Sequence, residues 1–280
     1  MSHPQRFLLA GVMGMPIMHS RSPKLHNYWF AQHGLAGVYA PLAIHPDGLE
    51  AALRALPALG FAGCNLTIPH KVAAMGFVDE VDETARRIGA INCVVARPDG
   101  ALHATNYDAF GFVESLREVA PDWRADAGPV VVLGAGGGAR AVIVGLAERG
   151  ARDIRVLNRS PGRAADLAAD LGPPIVALPW EQRHAALEGA ATLVNTTSLG
   201  MEGQPALDLS LDRLPRSALV SDIVYVPLET PLLAAARARG NRTVNGLGML
   251  IHQARPAFRD WFGVMPEATA ELRAMIEATL

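Results

Sequence analysis

Residues 130–146, VVVLGAGGGARAVIVGL, constrain the chain more than any other stretch. Val130, Val131, Val132 and Leu133 form an apolar, mostly β-branched run, the composition of a strand buried on both faces of a parallel sheet. The run passes straight into Gly134-Ala135-Gly136-Gly137-Gly138-Ala139, which fits G-x-G-x-x-A, and Ala141, Val142, Gly145 and Leu146 follow at helical spacing. Glycines allow a tight turn and a close backbone approach to a pyrophosphate, whose charge the free N–H groups and dipole of a helix start stabilise. A glycine-rich turn without a ligand is the competing account; the order strand, turn, helix favours a dinucleotide site.

The 280 residues are too many for one ordinary core and suit two domains. Half are hydrophobic and 19% charged, which places the chain among well-buried globular proteins. A net charge of −2 without a basic stripe argues against a nucleic-acid partner. Cys64 and Cys93 form no C-x-x-C, and no His/Cys cluster has metal spacing, so neither a disulfide framework nor a metal site is expected. Residues 7–18 are apolar enough to mimic a signal-peptide core, but Pro16 interrupts them and no small-residue cleavage site follows. No run of eighteen apolar residues is present, so no membrane span is expected and the cytoplasm is the default. Of 25 basic residues only Lys24 and Lys71 are lysine. Such a bias usually reflects base composition, yet a lysine kept in an arginine-rich chain suggests a need for an ammonium that can lose its proton.

In chain order, residues 7–12 read as a first strand and 14–23 as a loop. Ser22 is then expected as N-cap and Pro23 as first helical residue, with Leu25, Tyr28 and Trp29 inward. Ser20 and Ser22, two apart at a helix start, suit an anion equally well. Residues 38–44 form a second strand, 47–56 a helix burying Leu49, Ala52 and Leu53, and 60–68 a third strand with Pro69-His70-Lys71 beyond it. A helix burying Ala85, Ile88 and Ala90 leads to a strand at 91–95, a turn at Pro98-Asp99-Gly100, and a helix opened by residues 104–111. The alternation makes this half an α/β unit. Asn65, Thr67 and Asn92 cost stability in buried strands unless bonded; three of them near strand ends favour a cleft over an internal network.

After the glycine turn, residues 153–157 read as the next strand. It ends in Asn158-Arg159-Ser160-Pro161-Gly162-Arg163, about 24 residues past Gly134, where an NAD site carries an acid for the ribose 2′-OH. A neutral Asn158 with Arg159, Ser160 and Arg163 suits a 2′-phosphate, so NADP is the expected cofactor. Strands at 175–178, 192–195 and 219–224 and helices from Thr230-Pro231, from Gly246 and over 267–280 complete the chain. Without repeats or a low-complexity linker, the domain boundary is expected within a helix, near residues 107–119.

Several fragments now stand in a fixed order: His19-Ser20-Arg21-Ser22-Pro23, Asn65-Leu66-Thr67-Ile68-Pro69-His70-Lys71, Gly89-Ala90-Ile91-Asn92, Asn106-Tyr107-Asp108, the glycine turn, Asn158-Arg159-Ser160, Asn195-Thr196-Thr197-Ser198-Leu199-Gly200-Met201, Asp222-Ile223-Val224-Tyr225, and Gly246-Leu247-Gly248-Met249 with Gln253. Together they resemble the shikimate/quinate dehydrogenase family over nearly the whole chain. The resemblance implies an α/β substrate-binding and catalytic domain at 1–107 with helices of 247–280 packing back on it, and a Rossmann NADP-binding domain at 108–246. It implies reversible, NADP-dependent reduction of 3-dehydroshikimate to shikimate, a step of aromatic amino-acid biosynthesis, by a cytoplasmic protein for which a homodimer is the candidate assembly. Carried over, Lys71 and Asp108 flank the hydroxyl that is oxidised, Ser20 and Ser22 hold the carboxylate with Tyr225 nearby, and Thr67, Asn92 and Gln253 bind ring hydroxyls. The cofactor falls to Gly134, Gly136, Gly137, Gly138 and Ala139 with Asn158, Arg159, Ser160, Arg163, Thr197, Gly246 and Met249. A quinate or quinate/shikimate dehydrogenase is the alternative within the family, and a non-catalytic NADP-binding sensor the alternative of another class. Three residues depart from the family pattern: Tyr107 for a usual Thr, Cys93 for a common Thr, and Asn245 for a usual Asp. A phenol beside Asp108 either reshapes the pocket or packs the boundary helix.

Overall fold

Residues 7–280 are described in a computed structural model. They divide into two compact units, one formed by the described residues up to Tyr107 together with Gln253–Leu280, the other by Asp108–His252. The first holds β1 (Leu8–Gly14), α1 (Ser22–Gln32), β2 (Gly37–Ala43), α2 (Leu49–Ala55), β3 (Phe61–Leu66), β4 (Glu80–Val81), α3 (Glu83–Ile88), β5 (Cys93–Ala96) and β6 (Leu102–Thr105). The second holds α4 (Asp108–Val119), β7 (Val130–Leu133), α5 (Gly137–Glu148), β8 (Ile154–Leu157), α6 (Pro161–Leu171), β9 (Ile175–Leu178), β10 (Thr192–Asn195), β11 (Leu219–Asp222), α7 (Pro231–Ala238) and β12 (Arg242–Val244). The helix α8 (Gly246–Phe262) starts in the second unit and ends in the first, where α9 (Ala270–Glu277) follows. Residues 247–252, expected with the first domain, therefore group with the second.

The first unit is a six-stranded mixed sheet in the order β2-β1-β3-β5-β6-β4. β1 pairs parallel with β2 and β3, whereas β5 is antiparallel to both β3 and β6. The mixture arises at Pro98-Asp99-Gly100: this turn joins two neighbouring strands directly, with no room for a crossover helix. β6 is thus a strand where a helix start was expected, and Leu102 and Ala104 are buried while His103 is not, a period of two. Residues 47 and 48 lie in a 3-10 turn, and the helix proper starts at Leu49. α3 ends at Ile88, so Ala90 is buried from a loop. One face of the sheet carries Met13, Leu49, Leu53, Leu66, Ile91 and Val94. The other carries aromatic rings from α1 and the end of α8, with Trp29 and Phe30 edge-on to Phe258. Gly63, at φ +156, makes room there: a Cβ would sit 2.4 Å from Trp261 Nε1, which donates to the Val94 carbonyl at 2.9 Å.

The second unit is parallel throughout, in the order β12-β11-β10-β7-β8-β9. That is the doubly wound order in which the first strand lies between the second and the fourth, and the switch point falls between β7 and β10. Val130, Val131, Val132 and Leu133 have no exposed surface, as a central strand requires. β12, a three-residue edge strand reading Arg-Thr-Val, has too little apolar pattern to be read from sequence.

Candidate functional site

In the first unit the candidate residues follow the carboxyl ends of β1 and β3 and the loop before β5. Thr67 comes directly after β3, and its N–H donates to the Met13 carbonyl at 3.0 Å. His70 is buried with a ring nitrogen 2.9 Å from the Ile44 carbonyl, which anchors the turn that presents Lys71. The Lys71 carbonyl in turn accepts from the Ile91 N–H at 2.9 Å, tying this turn to the segment carrying Asn92. Asn92 lies just ahead of β5, not within it; its carbonyl accepts from Leu66 N–H and Asn65 Nδ2, both at 2.9 Å. Its side chain accepts from the Tyr107 N–H at 2.9 Å and donates to Gln253 Oε1 at 3.4 Å.

The serine loop differs from the expectation. Arg21, not Ser22, is the N-cap of α1, no side chain caps it, and Ser22 is the first helical residue. The Ser20 hydroxyl instead accepts from the Ser22 N–H at 3.3 Å. Nearby, the Tyr39 hydroxyl donates to Asn65 Oδ1 at 2.7 Å. Burial pushes the Tyr39 hydroxyl well above its ordinary pKa of 10, so it remains a donor. A chain of bonds thus runs from Tyr39 through Asn65 to Asn92 and Gln253. Ser20, Ser22, Thr67, Lys71 and Gln253 all keep some exposure, while Tyr39, Asn65 and Asn92 behind them are buried. This set offers hydroxyls, amides and one ammonium to a polar ligand with an acidic group.

In the second unit the glycine turn has the geometry a dinucleotide needs. Gly134 sits at φ +109, and a Cβ there would meet Thr196 Oγ1 at 2.4 Å. Gly136 is the N-cap of α5 with no side-chain cap, so the first N–H groups of a twelve-residue helix are left for a phosphate. A Cβ at Gly136 or Gly137 would meet nothing within 4 Å, so both border open space, whereas one at Gly138 would strike Ile223 at 2.9 Å. Ala139 is fully buried beneath the turn. NADP therefore fits this turn. At the end of β8, the Asn158 side chain donates to the Ser160 carbonyl at 2.9 Å, and Ser160 is the N-cap of α6 without a side-chain bond. Arg159 and Arg163 are exposed. Arg163 also lines a shallow cavity of about 430 Å³ with Ala135, Arg140 and Leu167, where Arg140 pairs with Asp170 at 2.5 Å.

Thr197 and Gly246 are tied to one buried carboxylate through Asn195 and Val224. Asp222 accepts from Asn195 Nδ2 at 3.1 Å, Val224 N–H at 3.0 Å and Thr230 Oγ1 at 2.8 Å. Asn195 Oδ1 accepts from both the N–H and the hydroxyl of Thr197, at 3.1 and 2.7 Å. The Val224 carbonyl accepts from Gly246 N–H at 3.0 Å. Gly246 has no space for a side chain, since a Cβ would lie 2.0 Å from the Ile223 carbonyl oxygen. Burial outweighs these donors and raises the Asp222 carboxyl above its ordinary value. Met249 packs beside the core under α5. Asp108, the first residue of α4, and Tyr225, three residues past β11, belong to this unit and not to the one that holds the other candidate substrate residues. Tyr39 and Asp260 escaped the sequence reading of the site; Asp222 stood in one of the ordered fragments but was given no role.

Comparison with known proteins bears on what such a pair of units does. A family description, the shikimate dehydrogenase substrate binding domain, matches residues 12–94, and a second, shikimate/quinate 5-dehydrogenase, matches residues 118–201. The NADP(+) shikimate dehydrogenase of Paramagnetospirillum magneticum is 56% identical over 268 residues, covering 96% of this chain and 97% of its own. The chain belongs to the shikimate dehydrogenase family. Among solved structures of the family, the Thermus thermophilus shikimate 5-dehydrogenase in complex with NADP(H) and shikimate is 37% identical, with a TM-score of 0.87 over 98% of this chain and 100% of that one. The quinate dehydrogenase of Corynebacterium glutamicum in complex with NAD is 32% identical, with a TM-score of 0.88 over 98% of this chain and 99% of that one. Family membership accounts for the nine ordered fragments, and within the family the fold tolerates both ring acids.

Proposed function

We propose that the protein catalyses the reversible, NADP-dependent reduction of 3-dehydroshikimate to shikimate. The observation that carries this reading is the bonded chain from Tyr39 through Asn65 to Asn92 and Gln253, in the unit that also holds Ser20, Ser22, Thr67 and Lys71. A ring bearing a carboxylate and several hydroxyls needs such a set of neutral donors and acceptors with one mobile proton. Ser20 and Ser22 donate to the carboxylate, with Tyr225 assisting, and Thr67, Asn92 and Gln253 bind the ring hydroxyls. Lys71 gives a proton to the carbonyl oxygen during reduction and takes it back during oxidation, and Asp108 is the second group proposed for that hydroxyl. NADPH supplies the hydride when bound. The α5 N-terminus and its glycines hold the pyrophosphate, Arg159 and Arg163 with Asn158 and Ser160 select the 2′-phosphate, and Thr197, Gly246 and Met249 border the rest of the cofactor. Two buried, free cysteines suit the reducing cytoplasm, and a homodimer is the assembly to test by light scattering.

Quinate is the rival substrate, since the family description spans both acids. Initial rates on shikimate with NADP⁺ and on quinate with NAD⁺ decide. The expected result is a kcat/KM at least tenfold higher for the first pair. Equal or reversed values would assign the protein to quinate, and NADP binding without turnover of either acid would make it a sensor.

A further inference from the structure

The Tyr107 phenol has a defined partner. The hydroxyl donates to Asp260 Oδ2 on α8. The other oxygen of Asp260 accepts from Arg259 Nε and Nη2 at 2.9 and 2.7 Å, so the carboxylate is shared by a cation and a phenol. Burial and Asp260 together push the Tyr107 hydroxyl above its ordinary value, which keeps it a donor. The backbone of the same residue faces the candidate site: its N–H donates to Asn92 Oδ1 at 2.9 Å, and Asn92 Nδ2 reaches Gln253 Oε1 at 3.4 Å. Gln253 and Asp260 are seven residues apart on α8, about two helical turns.

These bonds close a loop within the first unit: Tyr107 side chain to Asp260, along α8 to Gln253, across to the Asn92 amide, and back to the Tyr107 N–H. A threonine is too short to reach a partner one phenol length away, so the closure belongs to this chain's own residue. We propose that Tyr107 and Asp260 are positioning residues that hold Asn92 and Gln253 at the spacing a ring hydroxyl requires. The phenol is engaged by Asp260 on α8. The inference rests on the proposed function, because it takes Asn92 and Gln253 as the hydroxyl-binding pair.

The experiment is a double-mutant cycle with Y107F, D260A and the combined variant, read by shikimate KM, kcat, the NADP⁺ dissociation constant and melting temperature. Each single variant should raise shikimate KM about 3- to 10-fold, with kcat and NADP⁺ affinity within two-fold of wild type. The combined variant should be no worse than either single one, since both break the same loop. A Y107F enzyme with wild-type KM, or additive effects in the combined variant, would overturn the positioning role. So would a loss of melting temperature with KM unchanged, which is what mere packing predicts. Wild-type protein inert toward shikimate would instead sink the proposed function, so the two failures are distinguishable.

Discussion

At the scale of single residues, Lys71 separates chemistry from architecture. A structural lysine that pairs with a carboxylate is replaced well by arginine, whose guanidinium binds carboxylates at least as strongly. A proton donor and acceptor is not, because arginine effectively never deprotonates in a protein. Lys71→Arg and Lys71→Ala are therefore both expected to lose about 10²- to 10⁴-fold in kcat, with shikimate KM moving much less. Steady-state kinetics on the two variants checks this, and a Lys71→Arg enzyme within a few-fold of wild type would end the catalytic reading. Lys71 and Arg159 were legible in the sequence because each sits in a short motif beside a strand end. Tyr39 and Asp260 were not, because their partners lie 26 and 153 residues away in the chain. Only the fold brings such pairs together.

At the scale of elements, the loop from β1 to α1 divides two tasks between two serines otherwise than the sequence suggests. Ser22 was expected to cap α1, but the helix begins one residue earlier, so its hydroxyl is free of that duty. Ser20 is not the N-cap residue, but its hydroxyl accepts the N–H of Ser22, the first helical residue, and so satisfies one amide of the helix start. Ser22→Ala is expected to raise shikimate KM with melting temperature nearly unchanged. Ser20→Ala should raise KM and also cost about 0.5–1 kcal/mol, or roughly 1–4 °C in a chain of this size. Thermal scans beside KM measurements test both: no KM change at Ser20 removes it from the anion site, and no melting change removes its role at the helix start. The glycine turn, by contrast, was fully legible, since strand, turn and helix each carry a strong local pattern. β6 was misread because Ala104-Thr105-Asn106 has no local preference strong enough to oppose a helix, and only pairing with β5 makes it a strand. β4 and β12, of two and three residues, are strands by virtue of their neighbours alone.

At the scale of the whole molecule, two buried groups, one in each unit, respond to acid in opposite senses. His26 in the first unit has no exposed surface, and neither ring nitrogen makes a hydrogen bond of ordinary geometry among the described residues. Its ring is stacked 4.1 Å from Tyr39 and edge-on to Trp29. Burial lowers its pKa from 6.5 to about 3, so the folded unit holds it neutral. A histidine depressed in the folded state contributes its full stability above the unfolded value of 6.5 and loses it as pH falls toward 3, by at most about 5 kcal/mol. Asp222 in the second unit is raised by burial, so its contribution is present below its unfolded value of 3.8 and lost as pH rises through the folded one. Falling pH therefore opposes the first unit at His26 and favours the second at Asp222. Multidomain chains need not unfold in one step. Between pH 6 and 4, amide exchange followed by mass spectrometry should show peptides of residues 7–107 and 253–280 losing protection before those of 108–252. His26→Phe keeps a ring in the stack and removes the titrating nitrogens, so it should abolish most of that difference. Equal loss of protection in both units of the wild type, or a His26→Phe protein with the same acid profile, would show that the buried imidazole does not set the acid limit of this fold.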